Sequence, residues 1–151
     1  MEYNGAMTHR LAPWAVVAAL VATLLPVRAT AGGFEVSASG AYWTENSSAF
    51  TVTLGNSWDL QGFQLGFRAG FVYVSSPDAR GIPADAVARV GLGTFYLEAQ
   101  AGAWLLSGRD PILRFHATGG SGLDLGIVRF GIEAGYLTAG ALFGARVSLA
   151  L

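Results

Sequence analysis

Between residues 60 and 75 the chain reads LQGFQLGFRAGFVYVS. Odd positions carry Phe63, Leu65, Phe67, Ala69, Phe71 and Tyr73, while even positions carry Gly62, Gln64, Gly66, Arg68 and Gly70. A period of two over this length predicts a β-strand with two chemically different faces. One face is large and apolar; the other is small, Gly-rich and holds an arginine. The same rhythm returns in residues 34–43, 49–58, 86–92, 95–105, 112–125 and 128–136, and in a final stretch ending at 151. Eight strands are predicted.

The connections between them are mostly short and rich in turn residues, which makes neighbouring strands antiparallel. The segments 44–48, 56–59, 93–94, 107–111, 126–127 and 138–140 all read as turns. Residues 75–85, punctuated by Pro77-Asp78, Gly81 and Pro83, are the longest predicted loop.

The apolar faces of the eight strands carry no charge. Glu35, Arg68, Arg89, Glu98, Arg114, Asp124, Arg129, Glu133 and Arg146 all fall on the other face. A soluble barrel would turn the charged face to water, whereas a transmembrane barrel would turn it to the lumen. Three features favour the second. The charged face is otherwise mostly Gly, Ser, Thr and Ala, a poor solvated surface but a suitable filling for a narrow barrel. Its five arginines and four acids come close to a paired lumen network, as a low-dielectric interior demands. The aromatics gather at strand ends: Phe34, Phe63, Phe95 and Phe130 at one end, Tyr42, Tyr73 and Tyr136 at the other. With Trp43, Trp58 and Trp104, those tyrosines are the expected membrane-interface anchors. The predicted fold class is all-β, an eight-stranded antiparallel up-and-down transmembrane barrel.

Composition agrees. The chain has 151 residues, only 13% of them charged, 21 glycines, no lysine and no cysteine. Mean hydropathy is +0.44. Without Cys there is no disulfide or thiol chemistry. The net charge of −1 gives no electrostatic footprint for nucleic acid. Ahead of the first strand, Arg10 precedes an apolar run from Leu11 to Leu25, and Ala29-Thr30-Ala31 follows. This is the layout of a secretory signal peptide cleaved after Ala31, leaving residues 32–151 as the mature barrel domain. An apolar run of about 15 residues falls short of the ~20 that a spanning helix needs.

The alternating strands, even strand count and export signal together resemble the small eight-stranded bacterial outer-membrane barrels of the OmpA transmembrane domain and OmpX type. The resemblance covers residues 34–151 and rests on pattern, without a specific motif. It implies an integral outer-membrane protein, porin-like in architecture, with both termini in the periplasm. Its partners would be outer-membrane lipid or lipopolysaccharide and, through the last strand, the barrel-assembly machinery. The family's final strand usually ends in Phe; here Phe143, Ala145, Val147 and Leu149 keep the alternation, but the last residue is Leu151.

Candidate chemistry is sparse. His116 shares the lumen face with Thr118, and Glu133 projects inward from the next strand; imidazole, hydroxyl and carboxylate together suggest hydrolysis. Lipid A deacylases are barrels of similar size, but theirs is a lipid-facing His-x-Ser-Asn motif, matched here only by His116-Ala117-Thr118-Gly119. A satisfied lumen histidine is therefore the preferred reading, and no catalytic residue, cofactor or metal site is expected. Gly119-Gly120-Ser121-Gly122 lies inside a strand and lacks a following Lys, so close packing in the wall explains it better than phosphate binding. The expectation is a monomeric, non-enzymatic barrel with a structural, membrane-organising role and a lumen plugged by its charges. The alternatives are a narrow ion-conducting pore and a lipid-modifying hydrolase.

Overall fold

The computed structural model describes residues 30–151 apart from Glu45, Pro77 and Ala139; for residues 30–32 it describes the backbone alone. The signal-peptide stretch before Thr30 lies outside the described residues. Eight strands close into one antiparallel up-and-down barrel in sequence order. They are β1 (Thr30–Trp43), β2 (Ser47–Asp59), β3 (Phe63–Ser75), β4 (Asp78–Leu92), β5 (Phe95–Ser107), β6 (Leu113–Asp124), β7 (Val128–Leu137) and β8 (Gly140–Ala150). The start of β1 and the end of β8 share one end of the barrel, here the terminal end; the opposite end is the distal end.

The alternation sorts the side chains as expected. Phe50, Leu54, Phe67, Phe71, Leu97, Phe115, Ile132, Phe143 and Leu149 all face outward and are exposed, while Glu35, Arg68, Arg89, Arg114 and His116 face inward and are buried. This is the reverse of a soluble globule, and large apolar side chains stay outside only where the surroundings are themselves apolar.

Two expectations are corrected. Residues 75–85 are not a long loop: β3 ends at Ser75 and β4 already begins at Asp78. Pro83, which lacks an N–H, is accommodated by a local gap in the ladder with β3, where pairing passes from Ala69↔Ala84 to Val72↔Gly81 without changing register. Its β5 partner is Trp104, and its ring is fully buried in the lumen. The longest connection lies instead between β5 and β6, at residues 108–112, also at the distal end. Second, Trp43 and Trp104 do not anchor at the interface. They are 0% and 4% exposed and point into the lumen, because each lies on the opposite parity to its outward-facing neighbour, Tyr42 or Leu105. Tyr42, Trp58, Tyr73 and Tyr136 do face outward.

Candidate functional site: the barrel lumen

The barrel interior is built from staggered rows. Following the ladders from Glu35 leads to Gly55, Arg68, Asp85, Gly102, His116, Leu137 and finally Gly140. Yet Glu35 itself pairs with Ala150, ten residues beyond Gly140 along β8. That offset is the shear of the barrel, and it lifts each row obliquely around the wall. Side chains far apart in sequence therefore meet across the lumen.

In the terminal half the rows bring eight charges together. Arg68 donates from Nη2 to Glu35 at 2.8 Å and from Nη1 to Glu98 at 2.8 Å. Arg89 reaches the same two acids, through Nη1 to Glu35 at 3.1 Å and Nη2 to Glu98 at 2.6 Å. Arg129 bridges Glu35 at 2.7 Å and Asp124 at 2.6 Å. Arg146 bridges Glu98 at 2.8 Å and Glu133 at 2.6 Å. Four arginines thus face four acids in one continuous, neutral cluster. Each guanidinium shares its N–H fork between two or more acceptors, which is how buried charges recover the hydration they lose.

Glycines make room for these crossings. A Cβ on Gly102 would stand 2.4 Å from an Asp85 carboxylate oxygen, and one on Gly131 would stand 2.3 Å from the Tyr96 hydroxyl. Tyr96 lies across Gly122 and Gly131 and carries Arg89 over its ring at 5.3 Å. Close packing within the wall is therefore the role of the inward-facing Gly122 in the Gly119–Gly122 run.

Above the charges sit two further layers. Asp85 Oδ1 and His116 Nε2 lie 2.6 Å apart, both side chains buried, with the Trp104 ring 5.6 Å from the imidazole. A pocket of about 10 Å³ beside them, edged by Ser39, Thr51 and Thr53, has room for about one water. At the distal end Val72, Val74, Leu106, Leu137 and Leu142 form an apolar layer with Trp43. Arg109 and Arg114 lie over the Trp43 ring at 4.6 and 4.8 Å. Arg109 donates to Ser47 Oγ at 2.8 Å and to the Ser76 carbonyl, holding the β5–β6 connection over the mouth.

The sequence-derived candidates are redistributed accordingly. His116, Thr118 and Glu133 do not assemble as a triad: Asp85 takes the imidazole, and Glu133 belongs to Arg146. Arg114 is inside, as expected, but stands on Trp43. Asp85 and Arg109 escaped sequence reading because both were assigned to loops; inward parity in a β4 beginning at Asp78 is the signal that finds Asp85. Among the described residues no group of three or more His, Asp or Glu side chains is placed to hold a metal.

Solved structures share this architecture. A chain described as a de novo design of transmembrane β-barrels superposes with a TM-score of 0.67 at 14% identity, over 81% of this chain and 98% of the other. The fold is that of the transmembrane β-barrels. The solution NMR structure of the designed barrel TMB2.3 gives 0.60 at 18% identity over 80% and 95% of the two chains. The crystal structure of Neisserial surface protein A is also similar, with a TM-score of 0.48, 14% identity, and 81% and 99% coverage. No protein-family model and no curated protein sequence matches the chain.

Proposed function

We propose that this protein is an integral outer-membrane barrel whose role is structural, with both termini in the periplasm and a lumen that conducts nothing. The observation that carries the reading is the inversion of polarity: a closed barrel whose wall is apolar on the outside and whose lumen charges are buried and held in an ion-pair cluster. Such a molecule is stable where the solvent is lipid. The lumen supports the non-conducting half of the proposal. Its charges neutralise one another, and an apolar layer with Trp43 lies across the distal end beneath the strap that Arg109 holds. The burial of His116 in the lumen, bonded to Asp85 and turned away from the lipid face, argues against the hydrolase alternative. Partnership with the assembly machinery through β8, and the monomeric state, belong to the same reading.

The test is fractionation of expressing cells together with detergent gels of heated and unheated samples. Recovery in the outer membrane with heat-modifiable migration is expected; a soluble periplasmic product would overturn the reading. In planar bilayers the purified barrel should give no conductance steps, and reproducible steps would replace the plug by the pore.

A further inference from the structure

Among the described arginines, one stands apart. Arg68, Arg89, Arg129 and Arg146 are ion-paired in the lumen, and Arg109 and Arg114 lie on Trp43. Arg80 points outward from β4, exposed on the lipid-facing side of the barrel. Among the described residues it makes no hydrogen bond, ion pair or ring contact. We propose that Arg80, with Tyr73 and Ser107, is a binding site for the phosphate of a membrane lipid at the distal rim. The proposal rests on the membrane reading above and assigns a specific lipid contact within it.

Height on the wall is the first argument. Tyr73 pairs with Arg80 and Arg80 with Ser107, so the three form one outward row across β3, β4 and β5. One step toward the rim the outward positions are polar, Ser75 and Asp78. One step toward the middle they become Phe71, Ile82 and Leu105, all exposed and apolar. Arg80 therefore sits on the line where hydrocarbon gives way to headgroups. A cation there is tolerated, whereas the same cation a few residues deeper would cost ~2–4 kcal/mol.

Chemistry is the second. The guanidinium offers five N–H donors in a planar fork that matches two phosphate oxygens. Strands spaced about 4.8 Å apart place the Tyr73 and Ser107 hydroxyls on either side, within reach of the remaining oxygens. The nearby Asp78 carboxylate, on the same face, does not pair with Arg80 and leaves the fork available. Below Ile82 and Leu105, the outward residues of β4 and β5 are Ala84, Ala86, Ala103 and Ala101, with Phe67 beside Ala86 on β3. Ile82 and Leu105 offer an acyl chain apolar contact just under the phosphate, and the shallow alanine floor beyond them gives it a place to lie.

The test uses the refolded barrel in phosphatidylcholine vesicles containing a minor fraction of phosphatidic acid, with retained lipid counted by native mass spectrometry. Wild type should carry phosphatidic acid in preference, and Arg80→Gln should lower that retention about tenfold, the worth of one charge-assisted contact. Arg80→Lys should keep part of it, and Tyr73→Phe with Ser107→Ala, which leave the charge in place, should lose a smaller part. Excess inorganic phosphate should not displace the lipid; displacement by phosphate alone would overturn the lipid assignment in favour of a free-anion site. Equal retention by wild type and Arg80→Gln, both migrating as heat-modifiable barrels, would overturn the site while leaving the membrane reading intact. Failure of wild type itself to insert would overturn both.

Discussion

Glu98 is the keystone of the lumen cluster. Its Oε1 accepts from Arg68 Nη1 and Arg146 Nη1, both at 2.8 Å. Its Oε2 accepts from Arg68 Nη2 at 2.9 Å, Arg89 Nε at 2.9 Å and Arg89 Nη2 at 2.6 Å. Glu98→Gln changes no volume, yet it turns a cluster of four acids and four arginines into one with an unbalanced positive charge. It also places an amide NH₂, itself a donor, against guanidinium N–H groups, so at least two of the five contacts become donor-to-donor. Breaking a buried pair from one side costs ~3–5 kcal/mol, because the cation stays buried without its anion. Asp124→Asn is the internal control. Asp124 sits at the terminal rim with its side chain 28% exposed and one arginine partner, so its loss should cost below about 1 kcal/mol. Urea unfolding in vesicles, followed by the heat-modifiable gel shift and by tryptophan emission, measures both. A Glu98→Gln barrel within 1 kcal/mol of wild type, or no less stable than Asp124→Asn, would refute the view that this cluster holds the lumen together.

Three further outcomes follow from the packing. Gly102→Ala puts a methyl 2.2 Å from the Ala84 carbonyl oxygen and should destabilise the barrel by ~1–3 kcal/mol, whereas Gly119, whose Cβ would meet nothing within 4 Å, should accept Ala within about 0.5 kcal/mol; the same urea titration compares them. Phe67→Arg, on the lipid face of β3, should impair insertion by ~2–4 kcal/mol, read as the folded fraction on unheated gels. Brominated acyl chains should quench the emission of Trp58 but not that of Trp43 or Trp104 in variants keeping one of the three; quenching of Trp43 or Trp104 would put those rings back at the interface.

Much of this was legible along the chain because a strand has a period of two. Once Phe67 is known to face one way, Arg68 must face the other, and the same logic carried the inward assignment of all nine predicted lumen charges. Ring type and turn residues are weaker signals than this alternation. Trp43 and Trp104 have the ring type of interface residues, but their parity against Tyr42 and Leu105 turns them inward. Asp85 was lost because Pro77, Gly81 and Pro83 look like loop punctuation; a closed barrel tolerates a proline at one gap in a ladder that is otherwise continuous.

The sequence by itself determined the strand count, the two faces and the inversion of polarity that makes lipid the solvent, since these depend only on residue type and a period of two. It could not determine which charges meet. Arg129 and Glu35 lie 94 residues apart and are joined only because closure with a ten-residue offset sets β7, β8 and β1 side by side at that height. The registers of β4, β5 and β6 carry Asp85 over Gly102 to His116, so that Asp85 and not Glu133 meets the imidazole. Parity is local, carried by each residue and its neighbours; shear belongs to the closed sheet, and so only the tertiary structure decided the pairings.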